Sequence, residues 1–382
     1  MTANLYEKNE RYHVMLNWYQ DEKRKQKSVT TGILVKGNNK RKAEARKNDV
    51  LREWEVKILK KDESILFADH LKSWILDSKK RVQPTTFDVY EHLLEKHLYP
   101  YFIKLGIELQ KVTSDIIQQY YSCKINEGLS SNTVIKHHAV MRTALQNAYK
   151  SKLITDNPCD FADKPKRTKF RGEFYNADEI KTLLEIAKGT PLETVIFITA
   201  HFGLRRSEII GLKWNAIDFD NHTLTIKHKV VRMKENGKLI IYATDELKNE
   251  SSYRVLPLDD YLISYLKNLK HIQSQNRERN GNSHNNEYND YICVNGIGDL
   301  INPDYVTGYF SKIIKRNNLK HIRFHDLRHS CASLLLALGY SMKDIQEWLG
   351  HSNYLTTANL YSHVDPRNKK NMIKGLSSAL SI

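Results

Sequence analysis

Apolar and polar positions change period along this chain, and the changes divide it. Between residues 5 and 35 they alternate: Tyr12, Val14, Leu16 and Trp18, then Val29, Thr31, Ile33 and Val35 after the charged stretch 21–27. A two-residue period places one face on a core and the other in water, so a hairpin turning over 21–27 is expected, within a three-stranded sheet. From about residue 40 to 59 the period lengthens to that of a helix, with Ala43, Val50, Leu51 and Trp54 inward. Helical spacing then holds over 65–76, over 86–99 with Pro100 closing it, over 114–128 closed by Gly128, and over 130–152. In the last of these Val134, His138, Met141, Leu145 and Ala148 share a face.

The run 157–171 has no period, carries two prolines and is basic, which reads as a linker. Beyond it Asn176 and Glu179 have the spacing of a capping box. Residues 195–200 read as a buried helix. Residues 223–231 and 239–243 alternate around Glu235-Asn236-Gly237 and predict a hairpin. Residues 273–290 read as an exposed polar loop, 291–294 as a short strand, and Asn302-Pro303 as the start of a basic helix ending at Arg316. Met372, Ile373, Leu376 and Leu380 suit a short amphipathic tail helix. The division is therefore a small α+β domain at 1–60, an all-α domain at 64–160, a linker at 161–173, a mainly α, α+β domain at 174–370 and a tail at 371–382.

With 382 residues, 40% hydrophobic and 27% charged, the chain is long enough for two or three cores. No apolar run approaches a membrane span, and Glu7, Lys8, Glu10 and Arg11 argue against a signal peptide. Cys123, Cys159, Cys293 and Cys331 form no CxxC pair, which fits a reducing cytoplasm. Sixty Lys and Arg against 44 Asp and Glu give a net charge of +16. In a non-secreted chain that surplus points toward nucleic acid. Residues 1–60 alone hold 15 Lys and Arg against 8 Asp and Glu.

Candidate chemistry concentrates in 324–364, where His325, Arg328, His351 and Tyr361 each fall at the edge of a helical pattern. Asp326 is placed to cap a helix with Leu327, Cys331, Leu334, Leu335 and Leu338 inward, and Gly339 ends it. Ser341 and Asp344 form a capping box for the next helix, which Gly350 closes. Arg grips two phosphate oxygens at once, His exchanges protons near neutrality, and a Tyr hydroxyl can form a covalent intermediate. Such a set suits metal-free phosphoryl transfer but needs a second cation. The run TAHFGLRRSEIIGLKW at 199–214 offers it.

The pieces G-L-R-R-S-E, H-D-L-R-H, L-G-H-S and L-Y-S-H-V stand in one order, with His351 ten residues before Tyr361. In this the chain resembles the tyrosine recombinases, and within them the integrases of phages and conjugative transposons. The resemblance implies a site-specific DNA recombinase working through a 3′-phosphotyrosine, with Tyr361 as nucleophile and Arg205, Arg328, His325, His351 and Lys248 as its catalytic set. Lys248 lies in LKNESSYRVLPL, where Asn249 and Glu250 depart from the family's usual residues. An acid there would raise the lysine pKa unless it points away. Glu208 is implied as a buttress of Arg205. The resemblance also implies an arm-type DNA-binding role for 1–60 and a core-binding role for 64–160. The polar edge Ser130, Ser131, Asn132, Thr133, Lys136, His137 and Arg142 would lie along phosphates, with Arg206 as a further contact. Neither cofactor nor metal is implied. Partners would be double-stranded attachment sites, a homotetramer on DNA, and an excision or host DNA-bending factor.

Other classes stay open on the residues. His325 and His329 have the spacing of a zinc pair with His351 as a third ligand, but Asp326 is too short to reach a metal-bound water, and Arg205 and Tyr361 would be idle. A DNA-binding protein without cleavage would leave all six positions unexplained. A type IB topoisomerase shares the chemistry but not the amino-terminal domains.

Overall fold

The computed structural model describes residues 1–20, 23–59, 65–168, 173–235, 238–245 and 253–352, with 373, 377, 378 and 380. The expectations for Lys248, Tyr361 and the tail helix fall outside the described residues, apart from those four positions. The chain divides into two compact units, Met1–Thr168 and Lys169–Ile382. Among the described residues no helix is long and apolar enough to cross a membrane.

In the first unit β1 (Thr2–Lys8), β2 (Arg11–Gln20) and β3 (Lys23–Leu34) form an antiparallel sheet in that order. The central strand buries Tyr12, Val14 and Leu16, and α1 (Asn39–Leu59) adds Ala43 and Val50. Trp54 of the helix meets Trp18 with ring centroids 5.9 Å apart. The hairpin is tighter than the charge pattern suggested. Gln20 pairs with Lys23, and Arg24, Lys25 and Lys27 stand in the strand opposite Tyr19, Trp18 and Leu16. Lysines suit an edge strand because they deter pairing with another chain.

The helices α2 (Phe67–Ser78), α3 (Pro84–Leu93), α4 (Tyr99–Leu105), α5 (Ser114–Asn126) and α6 (Ser131–Lys150) surround Phe67, Leu71, Leu98, Phe102, Tyr120 and Met141. Thr113 and Ser130 cap α5 and α6 by accepting from the Ile116 and Thr133 amides. Three expectations change here. Pro100 does not end its helix: a π turn over Leu94–Leu98 widens the backbone, and Pro100 falls in the first turn of α4, where a missing N–H costs nothing. His137 leaves the polar edge of α6 and is fully buried, its Nδ1 2.8 Å from the Tyr120 hydroxyl. The face Val134, His137, His138, Met141 and Leu145 is one continuous helical stripe, so both histidines go inward. The linker is also shorter at its start. Asn157 donates to the Arg142 carbonyl and to Gln146, while Cys159 and Ala162 join the helical core.

The second unit places α7 (Ala177–Ala187), α8 (Glu193–Phe202) and α9 (Arg206–Ile210) before the strands. Asn176 and Glu179 form the expected capping box, typically worth about 1 kcal/mol. The strands β4 (Ile217–Asp218), β5 (Thr223–Ile226), β6 (Lys229–Glu235), β7 (Lys238–Thr244) and β8 (Arg254–Pro257) form two antiparallel sheets. Their orders are β4-β5-β8 and β6-β7. The single alternating run expected from 223 to 231 is therefore two strands in different sheets, parted at Lys227-His228.

Next come α10 (Asp260–Asn280), α11 (Pro303–Arg316), α12 (Asp326–Ala337) and α13 (Met342–Leu349). The polar loop expected from Gln273 begins as helix. Gln273 itself accepts from Trp214 Nε1 and donates to the Ile292 carbonyl, which fixes the last turns of α10. Tyr291 and Val294 make isolated bridges to Lys213 and Leu300 rather than a strand. On α12, Asp326 does not cap its own helix: it turns back and accepts from the backbone and guanidinium of Arg323. Leu338 is exposed, while Leu327 and Cys331 are buried as expected.

Candidate functional site

The site is built from the ends of short elements in the second unit. Gly203 closes α8 with φ +61°, and a Cβ there would meet Leu349 Cδ2 at 2.4 Å. Only glycine takes this left-handed backbone while letting α13 come so close. The turn delivers Arg205 to the start of α9. Its Nη1 lies 2.5 Å from Glu208 Oε1, its amide donates to Glu208 Oε2, and its Nη2 donates to the Gly350 carbonyl at 2.8 Å. Arg205 keeps about a third of its side chain exposed.

Arg328 comes from the first turns of α12 and is 1% exposed. Its Nη1 donates to the Gly203 carbonyl at 2.7 Å, its Nη2 to the Leu349 carbonyl at 2.5 Å, and its Nε to His351 Nε2 at 3.2 Å. Two helix C-termini thus aim their carbonyls at one guanidinium, an arrangement favourable to a cation. Burial, then the neighbouring Arg205, brings the Arg328 pKa down to about 9, which leaves it charged at neutral pH. Since the arginine donates to Nε2, a neutral His351 carries its proton on Nδ1. Burial and then Arg328 and Arg205 push the His351 pKa down to about 3.

Glu208 ties these groups together. It is 3% exposed and lies 3.0 Å from Arg254 Nη2, 2.5 Å from Arg205 Nη1 and 4.0 Å from Arg328 Nη1. Burial raises its pKa, but Arg254, Arg205 and Arg328 outweigh burial and hold the carboxyl below its ordinary value. Arg254, at the start of β8, was not among the residues singled out by sequence. It is buried, and its Nε donates to the Trp348 carbonyl. A cation at an inward position of the alternating Arg254-Val255-Leu256 run was the available signal. Among the described residues three guanidiniums face one carboxylate, so positive charge is in excess at this partly buried centre. Such a centre calls for an anion.

His325 precedes α12 and keeps a solvent-facing edge. The surrounding protein, then His329 and Arg328, hold its pKa down to about 4, a push that water at its open edge softens. It is neutral at pH 7 and able to accept a proton. His325 and His329 meet edge to face, centroids 5.1 Å apart. Among the described residues no three His, Cys, Asp or Glu are grouped to share a cation, so the zinc alternative lacks a third ligand there.

Of the six catalytic candidates, Arg328 and His351 are in direct contact, Arg205 joins them through Glu208 and the Gly350 carbonyl, and His325 stands at the head of the helix that carries Arg328. Among the DNA-contact candidates, Lys136 is exposed on α6 and Thr133 bonds Ser130 in the cap of that helix. Arg142 pairs with Asp160 at 2.6 Å. Arg206 is held on α11 by the Pro303 carbonyl and the Thr307 hydroxyl. A cavity of about 630 Å³ along α10, lined by Trp214, Lys267, Lys270 and Arg277, includes none of the described catalytic candidates.

Comparison with known proteins adds independent support. The profile described as "Phage integrase family" matches residues 173–368, and "Phage integrase, N-terminal SAM-like domain" matches 66–124. A "Tyrosine recombinase XerC-like" protein of Caldanaerobacter subterraneus subsp. tengcongensis is 27% identical over 89% of this chain and 90% of its own length. The "ICEBs1 integrase" of Bacillus subtilis is 26% identical over 86% and 87%. In fold, a Tn1549 transposon integrase solved in complex with a circular intermediate DNA superposes with TM-score 0.66 at 20% identity, covering 82% of this chain and all of that one. A lambda integrase tetramer bound to a Holliday junction gives 0.57 at 18% identity, covering 94% of each.

Proposed function

We propose a mechanism for this chain, which belongs to the phage integrase family and is a site-specific tyrosine recombinase acting on mobile DNA elements. Tyr361 Oη attacks one backbone phosphorus of duplex DNA. A bond from phosphorus to the tyrosine oxygen forms, the bond to the 5′ oxygen breaks, and a 3′-phosphotyrosine results. Arg205 and Arg328 bond the two non-bridging oxygens, whose negative charge grows in the transition state. His325, neutral at working pH, takes the tyrosine proton, and neutral His351 hydrogen-bonds the phosphate. Lys248 gives a proton to the departing 5′ oxygen. The phosphotyrosine keeps the energy of the broken diester, so the 5′-hydroxyl of a partner strand reverses the step without ATP.

The observation that carries this reading is the convergence of Arg205 and Arg328 on Glu208, Gly350 and His351, where guanidinium outnumbers carboxylate among the described residues. Fixed charge aimed at developing charge usually lowers the barrier of such reactions more than any other effect. Arg328 is held through two carbonyls and His351, Arg205 through Glu208 and the Gly350 carbonyl, and among the described residues Glu208 serves both, so positive charge remains to meet a phosphate. Lys136 and Thr133 on α6, with Arg142 and Arg206 once released from Asp160 and α11, are proposed phosphate contacts that set register. Residues 1–60 are proposed to bind separate arm-type sites. The working assembly is proposed to be a tetramer of this chain on DNA in the cytoplasm, with an excision or DNA-bending factor setting direction.

A nicked suicide substrate, from which the 5′ fragment diffuses away, tests the central step. The wild-type chain should accumulate a covalent protein–DNA adduct, and Tyr361→Phe should shift the same DNA in a gel without forming one. Gel shifts by both proteins with no adduct from either would replace this reading with that of a binding protein.

A further inference from the structure

Asp304 stands in the first turn of α11 and gathers two cations from other elements of the second unit. Asn302 caps this helix by accepting from the Asp304 amide. The Asp304 carboxylate pairs with Arg232 Nη1 through Oδ2 and lies 3.8 Å from Arg206 Nη1 through Oδ1. Arg232 comes from β6, two positions after the fully buried Val230 and so on the same face of the strand. Arg206 begins α9. Its Nη1 also donates to the Pro303 carbonyl at 3.1 Å and to the Thr307 hydroxyl at 2.6 Å.

Two guanidiniums thus share one carboxylate, and none of the three is buried: Arg206 keeps 41% of its side chain accessible, Arg232 29% and Asp304 57%. Ion pairs this open to water contribute little to stability. What they leave free matters more. Among the described residues every contact to either arginine goes through Nη1, so the Nε–Nη2 edge of both guanidiniums has no partner there. That edge is a planar fork suited to two phosphate oxygens. The flank of α11 beside it is open as well. Thr307, Gly308, Ser311 and Lys312 are exposed, and a Cβ on Gly308 would meet nothing within 4 Å.

Arg206 follows Arg205 directly, so their Cα atoms are about 3.8 Å apart. A strand whose scissile phosphate sits at Arg205 offers its neighbouring phosphates at intervals of about 3.4 Å along the helix axis. We propose that Arg206, Arg232 and the Thr307 hydroxyl form a second phosphate site, for a phosphate of the bound duplex other than the scissile one, and that Asp304 is the anion that occupies it in the free chain. DNA takes the two guanidiniums from Asp304, which weakens binding to every duplex, since a phosphate contact carries no sequence information. This rests on the reading above in taking the scissile phosphate to lie at Arg205. It uses none of the cleavage steps.

The test reads binding of the full chain to a core-site duplex by fluorescence anisotropy over a range of salt, in a Tyr361→Phe background so that cleavage plays no part. Asp304→Asn should bind about 3- to 10-fold more tightly at low salt. Its plot of log K against log salt should be steeper by up to about 1, because no freed carboxylate remains to take up a cation in the complex. Arg206→Ala combined with Arg232→Ala should weaken binding, flatten that plot by about 1, and abolish the gain from Asp304→Asn. Asp304→Asn is isosteric and alters a half-exposed side chain, which keeps the test valid should the double variant fold poorly. Duplexes made neutral at one phosphate by methylphosphonate locate the contact: the gain should vanish for one position other than the scissile phosphate. Binding by Asp304→Asn equal to or weaker than its parent, a gain that survives loss of both arginines, or a gain lost only at the scissile phosphate overturns the site. The expected binding changes in a chain that forms no adduct with Tyr361 restored would uphold the site and strike the cleavage mechanism alone.

Discussion

The two units each bury hydrogen-bonded histidines, and they do so in opposite ways. In the helical unit Tyr120 and Tyr121 meet His137 and His138, four neutral groups at 2.8 and 2.5 Å. Burial, then His97 and Lys124, lowers the His137 pKa to about 4, and nothing in the cluster asks for a further charged group. In the second unit the histidine beside Arg328 belongs to a centre with three guanidiniums and one carboxylate. The first is a neutral core that happens to be polar, with His137 Nε2 left without a partner among the described residues. The second, among the described residues, keeps positive charge in excess. Sequence patterns present the two alike, as histidines on helical edges, and the balance of charge is what separates them.

The sharpest way to break the contrast is Arg328→Ala. Adduct formation on the suicide substrate should fall by about 10²–10³ or more, with DNA binding nearly unchanged. Cleavage near wild-type rate would remove Arg328 from the mechanism. Next is Glu208→Gln, which leaves three buried or half-buried cations without their shared carboxylate. A stability loss of about 3 kcal/mol is expected at pH 7 by denaturant titration. Its pH dependence has a definite sign. The folded pKa of Glu208 lies below the ordinary 4.5, so its contribution is full above pH 4.5 and is lost as pH falls through the folded value. The stability gap between wild type and Glu208→Gln should therefore be constant above that pH and narrow below it. A gap that widens in acid would show the carboxyl to be held above its ordinary value.

Gly203→Ala should cost about 1–2 kcal/mol for the left-handed backbone alone, and more for the collision with Leu349. It should also lower the rate of adduct formation, because the carbonyl that holds Arg328 moves with it. A stability loss with full activity would separate the turn from the site. The smallest effect belongs to the helical unit. Tyr120→Phe should cost about 1 kcal/mol in a thermal melt and leave adduct formation untouched. If it slows cleavage, the neutral cluster is not merely core.

Much of the site was legible because its signals are local. Gly203, the Ser341–Asp344 box and Gly350 each act within a turn, and they place Arg205 and His351 at helix ends whatever the rest of the chain does. The inward place of Arg254 had a local signal, but its partner did not, since Glu208 is 46 positions away and no local rule pairs them. The break between β5 and β6 was hidden for a similar reason: alternation continues across His228, and only the choice of different partner strands divides it. His137 was misplaced although the spacing allowed the right answer. A stripe that includes Val134 and Met141 also includes position 137, and a polar residue on it goes inward when a Tyr120 hydroxyl is waiting.

Leu349 and Gly350 give their carbonyls to the two arginines, and His351 follows at once in the chain. Three grips on the clamp thus hang on three consecutive residues, two of them made through main-chain carbonyls that no side-chain substitution can delete and the third through the His351 ring. Tyr361, the proposed nucleophile, follows ten positions on in the sequence. Both guanidiniums and the His351 ring are therefore gathered at the single C-terminus of α13, so a shift of that one helix end would move all three together.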